Sequence, residues 1–325
     1  MSRILIVSPT TETSLKGNGV SARRWRRILE ELGHQVTLAQ CFEDQPADLL
    51  LALHARRSAA AVERFHRTRP GLPILLALTG TDLYGDIAHD VDARRSLELA
   101  TRLIVLQPSL PENYPEHLRP RTHVIFQSTT APADLESPPA TGFDICVLGH
   151  LRAVKDPFRT AEAVRLLPDS SRVRVVQLGA ALEDDMAARA EAEERDNPRY
   201  SWRGEVPREE ALRTLARSHL HVLSSRMEGG ANALVESITL HVPSLCTRIL
   251  GAIGILGDDY PGFFPVGDTR ALSAAIHRAE LDPEYRESLR SWGDRIRPRL
   301  HPERERKSWE DLLHLVLDHV ETENP

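Results

Sequence analysis

Short apolar runs rich in Val, Ile and Leu alternate with stretches of helical periodicity along the chain. ILIVS at 4–8 precedes a helix-periodic segment through Trp25, Ile28, Leu29 and Leu32, after which come QVTLA (35–39), DLLLAL (48–53), PILLAL (73–78), RLIVL (102–106) and HVIF (123–126). Near-continuous apolar strands separated by helices predict a parallel sheet covered on both faces. The pattern then lapses: TAPADLESPPATG at 130–142 carries Pro132, Pro138 and Pro139 without periodicity and reads as a linker, placed at 131–142. Beyond it the alternation restarts with FDICVLG (143–149), a helix near 156–167, VRVVQLG (173–179), YSWRG (200–204), LHVLSS (220–225) and PSLCT (243–247), predicting a second parallel sheet. Trp309, Leu312, Leu313, Val316 and Val320 sit at helical spacing in an amphipathic last helix.

Length turns these two runs of strands into two domains, because 325 residues exceed the usual span of one hydrophobic core. The expected organisation is an N-terminal domain over 1–130, joined by the C-terminal helix 303–320, and a C-terminal domain over 143–302. Two open sheets facing one another form a cleft, and ligands of such sheets bind beyond the carboxyl ends of the strands. A formal charge of −6 leaves no general nucleic-acid footprint, and no apolar run approaches the roughly 20 residues of a membrane span. A cytoplasmic protein acting on small molecules, with neither nucleic acid nor membrane as partner, is expected. Cys41, Cys146 and Cys246 show no CxxC spacing and no His cluster has ligand spacing, so neither a disulfide framework nor a metal site is expected, nor any tightly bound cofactor. All but three of the 41 basic residues are arginine, which singles out Lys16, Lys155 and Lys307; the first two fall in loops.

Two strand-to-helix loops carry candidate chemistry. EGGANALVE, 228–236, follows a strand and opens a helix expected to end near Leu240. Gly229 and Gly230 permit a tight turn and close ligand approach, while the first-turn N–H groups at Ala231 and Asn232 suit a phosphate. Glu228 in the loop and Glu236 beyond the first turn bracket a molecule rich in hydroxyls, for which carboxylates are strong acceptors. The alternative is an acidic helix start favoured by the dipole. In GHLRAVKDP, 149–157, Arg152 and Lys155 stand at a helix start that disfavours cations unless an anion joins them; together they suit a diphosphate leaving group.

GHLRAVK, EGGANALVE, HVPSLCT and GDTRALSAAI in that order resemble the nucleotide-sugar half of GT-B glycosyltransferases, especially the retaining family with an E-seven-E motif. The resemblance covers nearly the whole chain and implies an α/β fold of two Rossmann-like parallel-sheet domains facing a central cleft. It implies that Arg152 and Lys155 grip the diphosphate, Glu228 the sugar hydroxyls and Glu236 the ribose, with the loop containing Val206 holding the base. The family's arginine directly follows the glycine, where this chain has His150; Arg152 stands two positions on.

KGNGVSARRW (16–25), LLALHARRSA (50–59), ALTGTDLY (77–84), GHLRAVKDPFR, MEGGAN and DYPGFFPVGD together are similar to the selenosugar synthases of selenoneine biosynthesis. That resemblance implies transfer of a sugar from UDP-N-acetylglucosamine or UDP-glucose to selenophosphate, yielding a selenosugar, UDP and phosphate, with other enzymes of that pathway as possible partners. An acceptor already deprotonated at neutral pH needs little general base, but it needs a cationic pocket. Lys16, Gly17, Asn18 and Gly19 at the first helix start, with Arg56 and Arg57 after the strand ending at His54, are the acceptor-site candidates. His54 and Asp82, at strand ends, are the candidates for orienting water in phosphate loss or for binding a sugar hydroxyl. Asp90-Val91-Asp92 matches a DxD metal motif but opens a helix, where acidic residues are ordinary. Two rival readings stay open: a hexosyltransferase with a hydroxyl acceptor, and a UDP-sugar sensor without catalysis.

Overall fold

A computed structural model describes residues 1–10 and 17–322, the last five by backbone alone. Two compact units partition the chain, Met1–Gln127 with Pro302–Pro325, and Ser128–His301.

The first unit is built on β1 (Arg3–Val7), β2 (Gln35–Ala39), β3 (Leu49–Leu53), β4 (Ile74–Leu78), β5 (Arg102–Val105) and β6 (Thr122–Val124), all paired in parallel in the order β2-β1-β3-β4-β5-β6. Every residue of β3 and β4 is buried, as a strand covered on both faces requires. The pleat sends Leu50, Ala52 and Leu76 into one cluster with Phe65 and Leu97, and Leu49, Leu51 and Leu75 into another with Trp25 and Trp309. The last helix, Pro302–Thr322, belongs to this second layer. Its Trp309 meets Trp25 edge to face at 5.0 Å, and its buried Glu305 accepts from Trp25 Nε1 at 2.8 Å and Arg24 Nε at 3.1 Å.

The second unit carries β7 (Phe143–Leu148), β8 (Val173–Leu178), β9 (Tyr200–Trp202), β10 (Leu220–Leu223), β11 (Ser244–Thr247) and β12 (Phe263–Phe264), again all parallel, in the order β12-β11-β10-β7-β8-β9. Read from the other edge this is the doubly wound Rossmann order, whose switch point lies where the chain reverses direction across the sheet, between β7 and β10. The loops leaving those two strands are the ones that carry GHLRAVK and EGGANALVE. In the first unit the order changes direction between β1 and β3, so the segments after those strands, ending at Gly17–Gly19 and beginning at His54, flank its switch point.

Candidate active site

The switch point brings the two cationic and acidic loops of the second unit together. After β7 the chain passes a 3-10 turn, Ala153–Lys155, and reverses at Asp156, which takes the left-handed conformation (φ 45°, ψ 54°). After β10, Ser224 Oγ donates to the Asp156 carbonyl at 2.9 Å and Arg226 N to Val154 O at 2.9 Å, lacing one loop to the other. Lys155 Nζ consequently lies 2.6 Å from Glu228 Oε1, which also accepts from Ser225 Oγ at 2.6 Å. Glu228 is 9 % exposed, so its charge is compensated by an ammonium and a hydroxyl rather than by bulk water.

The turn that follows is held by close packing. A Cβ at Gly251, in the helix Leu250–Leu256, would fall 2.0 Å from the Glu228 carbonyl oxygen, so that helix approaches the turn as closely as only glycine permits. The chain bends at Gly229 and Gly230, both buried, and the left-handed residue that follows is Ala231 (φ 38°, ψ 60°); neither glycine is among the positive-φ glycines of the described residues. Ala231 N-caps the helix Asn232–Thr239 without a side-chain hydrogen bond, as an alanine must, and Leu234 N donates back to the Ala231 carbonyl at 2.8 Å. Glu236, 5 % exposed, lies in the middle of that helix, and Arg208 Nη1 donates to its Oε1 at 2.6 Å. The other arm of the same guanidinium reaches Thr129 Oγ1 at 2.6 Å. Behind the site, burial pushes the Cys146 thiol up to about 12, assisted by Glu236, and raises Cys246 with Glu228 as the lesser cause; both thiols are inert packing groups.

Arg152 stands apart from the Lys155–Glu228 pair, its Nε 3.7 Å from Glu183 Oε1, while Glu183 fixes the start of the 3-10 turn through Ala153 N at 2.7 Å. His150, at the position where the family places arginine, accepts the Ala180 N–H on Nδ1 at 3.1 Å. Val206 packs with Leu148 and Val176 on an apolar cluster of the same sheet. Arg208 and Thr129 went unnoticed in the sequence. The one local signal was a cation at the first position of the helix Arg208–Ala216, where the dipole opposes it.

In the first unit, Gly17, Asn18 and Gly19 form the opening turn of the helix Gly17–Glu31; Lys16 lies outside the described residues. Arg56 and Arg57 are exposed, and Arg56 Nε lies 3.1 Å from Asp86 Oδ2. His54 and Asp82 are together but enclosed. His54 is 1 % exposed in the left-handed region (φ 75°); its Nδ1 accepts from Arg57 N at 3.4 Å, which leaves the proton on Nε2, 3.1 Å from Thr81 Oγ1. Burial pushes its imidazole pKa down against the opposing pull of Asp82, favouring the neutral ring. Asp82 is fully buried and accepts three backbone N–H bonds at 2.9 Å, from Ala55, Thr79 and Gly80. Both side chains direct these polar atoms to the segments after β3 and β4. Asp90 of the DxD match N-caps the helix Val91–Leu99 through Ala93 N at 2.8 Å. Among the described residues no group of three His, Cys, Asp or Glu side chains is placed to hold a metal, and no helix is long and apolar enough to cross a membrane.

Residues 135–295 match the family model of glycosyl transferases group 1. No curated protein matches the sequence. Among solved structures, sucrose-phosphate synthase (tll1590) from Thermosynechococcus elongatus superimposes with a TM-score of 0.78 at 15% identity, over 98% of this chain and 99% of that one. Anabaena Alr3699/HepE in complex with UDP and glucose gives 0.75 at 15% identity over 96% and 99%. A structure described as trehalose-6-phosphate from E. coli bound with UDP-2-fluoro glucose gives 0.71 at 12% over 96% and 99%. The chain has the GT-B fold, two Rossmann-like parallel-sheet domains.

Proposed function

We propose that this protein is a UDP-sugar-dependent glycosyltransferase of group 1 whose acceptor is selenophosphate. The family match over 135–295 and the GT-B fold support the coarser part, a group 1 glycosyltransferase. The observation that carries it is the meeting of Lys155, Glu228 and the uncapped helix start at Ala231 beyond the switch point of the second unit. Similar structures were solved with UDP and glucose or UDP-2-fluoro glucose, which supports a UDP-sugar here.

In this reading Lys155 and the Asn232–Thr239 helix N-terminus hold the diphosphate, Glu228 and Glu236 accept from sugar and ribose hydroxyls, and Arg152 adds charge at the loop edge. Val206 borders the base. Selenium attacks the anomeric carbon of UDP-N-acetylglucosamine or UDP-glucose; the Se–C bond forms as the C–O bond breaks, and the electron pair leaves on UDP. Water then cleaves the P–Se bond, giving phosphate and the selenosugar. The acceptor enters as an anion, so no side chain need remove a proton, in keeping with the enclosure of His54 and Asp82. Arg56, Arg57 and the helix start at Gly17–Gly19, with Lys16 before it, supply the acceptor's cationic surroundings. UDP release measured with selenophosphate, with sugar alcohols, and with donor alone tests the assignment. Release that requires selenophosphate supports it. Release with alcohols instead would make the protein a hydroxyl-acceptor hexosyltransferase, and binding without release a sensor.

A further inference from the structure

Glu228 takes both of its side-chain hydrogen bonds on one oxygen. Lys155 Nζ and Ser225 Oγ each lie 2.6 Å from Oε1, and among the described residues nothing bonds Oε2. The two donors hold the carboxylate differently. Lys155 reaches it on a flexible four-carbon stem with a third of its side chain exposed, which balances charge but restrains direction little. Ser225 reaches it from a short stem rooted in the sheet: the residue is buried just past β10, and its carbonyl accepts from Thr247 Oγ1, at the end of β11, at 2.5 Å. Behind the turn, the helix Leu250–Leu256 backs the main chain of Glu228 through Gly251. The last torsion of a glutamate is otherwise broad, so these contacts decide which oxygen stays free. With Oε1 taken twice, Oε2 is the atom left for a hydroxyl.

We infer that Ser225 is a positioning residue for the transferred sugar: together with Lys155 it pins Oε1 of Glu228 and so presents Oε2 to a sugar hydroxyl. The inference rests on the proposed donor reading, in which Glu228 accepts from the sugar. Ser225 touches neither sugar nor phosphate in this scheme. The two donors are separable by what else they do. Lys155 serves the diphosphate as well as Glu228, so its loss is felt by any uridine diphosphate, whereas the Ser225 hydroxyl donates to the carboxylate alone. Removing that hydroxyl leaves the Thr247 bond to the main chain in place. The carboxylate then keeps its charge and its ammonium while its plane turns more freely, and a directed hydrogen bond to the sugar becomes an averaged one.

Calorimetric titration of the full-length protein with UDP, UDP-glucose and UDP-N-acetylglucosamine tests it. Ser225→Ala should weaken the sugar nucleotides about three- to tenfold, the worth of one ordinary hydrogen bond, and shift UDP by less than about twofold. Ser225→Thr keeps the hydroxyl and should retain the affinities of the unaltered protein. Glu228→Gln should separate sugar nucleotide from UDP in the same direction as Ser225→Ala, whereas Lys155→Ala should weaken both together. A Ser225→Ala protein that loses UDP and sugar nucleotide in equal measure, as a merely structural role requires, or that loses neither, overturns the inference; the donor reading survives if Glu228→Gln still separates them. A Glu228→Gln protein that does not separate them overturns both. Should Ser225→Ala fold poorly, Ser225→Cys carries the test, since it keeps the shape of the side chain and weakens the donor.

Discussion

Lys155 is the residue on which the proposed donor site turns. It is one of three lysines in the chain, sits on a 3-10 turn with a third of its side chain exposed, and meets Glu228 at 2.6 Å. Departing UDP develops charge that this ammonium can balance, so Lys155→Ala should cost about 2–4 kcal/mol of transition-state stabilisation, roughly a 30- to 1000-fold fall in kcat/KM. The same change leaves the Glu228 carboxylate with Ser225 alone, so the thermal midpoint should fall as well. Turnover equal to that of the unaltered protein would remove Lys155 from the chemistry. His54 makes the opposite case. Its enclosed, neutral ring orders two loops, so His54→Ala should lower stability while kcat falls no further than loop disorder accounts for; a lost acidic limb in the pH–rate profile, with stability unchanged, would instead make it a proton acceptor in the reaction.

Elements were more legible than the contacts among them. Apolar runs LLLAL and ILLAL announce β3 and β4 because a strand covered on both faces must be apolar throughout, whereas QVTLA alternates polar with apolar as suits the half-exposed edge strand β2. The two-residue β12, Phe263–Phe264, is too short to show any period and was not predicted. Strand order is absent from local pattern altogether, yet it decides the site: only the placing of β7 beside β10 brings residues 155 and 228 within 2.6 Å. Arg208 was missed for the same reason, since its partner Glu236 lies 28 positions away and GEVPREEAL reads locally as an ordinary helix start. The bend was legible in the double glycine, but the left-handed step on Ala231 was not, because nothing in an alanine marks that conformation. The helix Leu250–Leu256 provides a test at this scale. Gly251→Ala would drive a methyl group to 2.0 Å from the Glu228 carbonyl, and the displaced turn should cost about 1–3 kcal/mol of stability together with at least about a tenfold loss of UDP affinity, readable by denaturant titration and calorimetry. Full UDP affinity in that variant would mean that the turn does not hold the donor.

At the scale of the whole molecule the two units should respond separately to damage. Trp309 packs on Trp25 within the first unit, so Trp309→Ala should destabilise that unit by about 3–5 kcal/mol while UDP affinity, which the proposed reading assigns to Ser128–His301, stays within about twofold. Acid should act on the second unit through one buried histidine. His221 on β10 is fully buried, its Nδ1 paired with Ser244 Oγ at 3.0 Å and its Nε2 without a partner, and burial pushes its pKa down to about 3. A folded-state value below the unfolded value of about 6.5 means that the unfolded chain binds the extra proton first. The neutral ring's stability is therefore fully present above about pH 6.5 and is lost, at about 1.4 kcal/mol per pH unit, as pH falls towards 3. His221→Leu should flatten that limb in urea titrations across pH 6.5 to 4. Mass spectrometry of the protein incubated with UDP-N-acetylglucosamine or UDP-glucose, with and without selenophosphate, reads the proposed transfer directly. A sugar bearing the isotope pattern of selenium, formed with stoichiometric UDP only when both substrates are present, is the expected result; UDP-sugar left intact, or consumed with no selenium in the product, would contradict it.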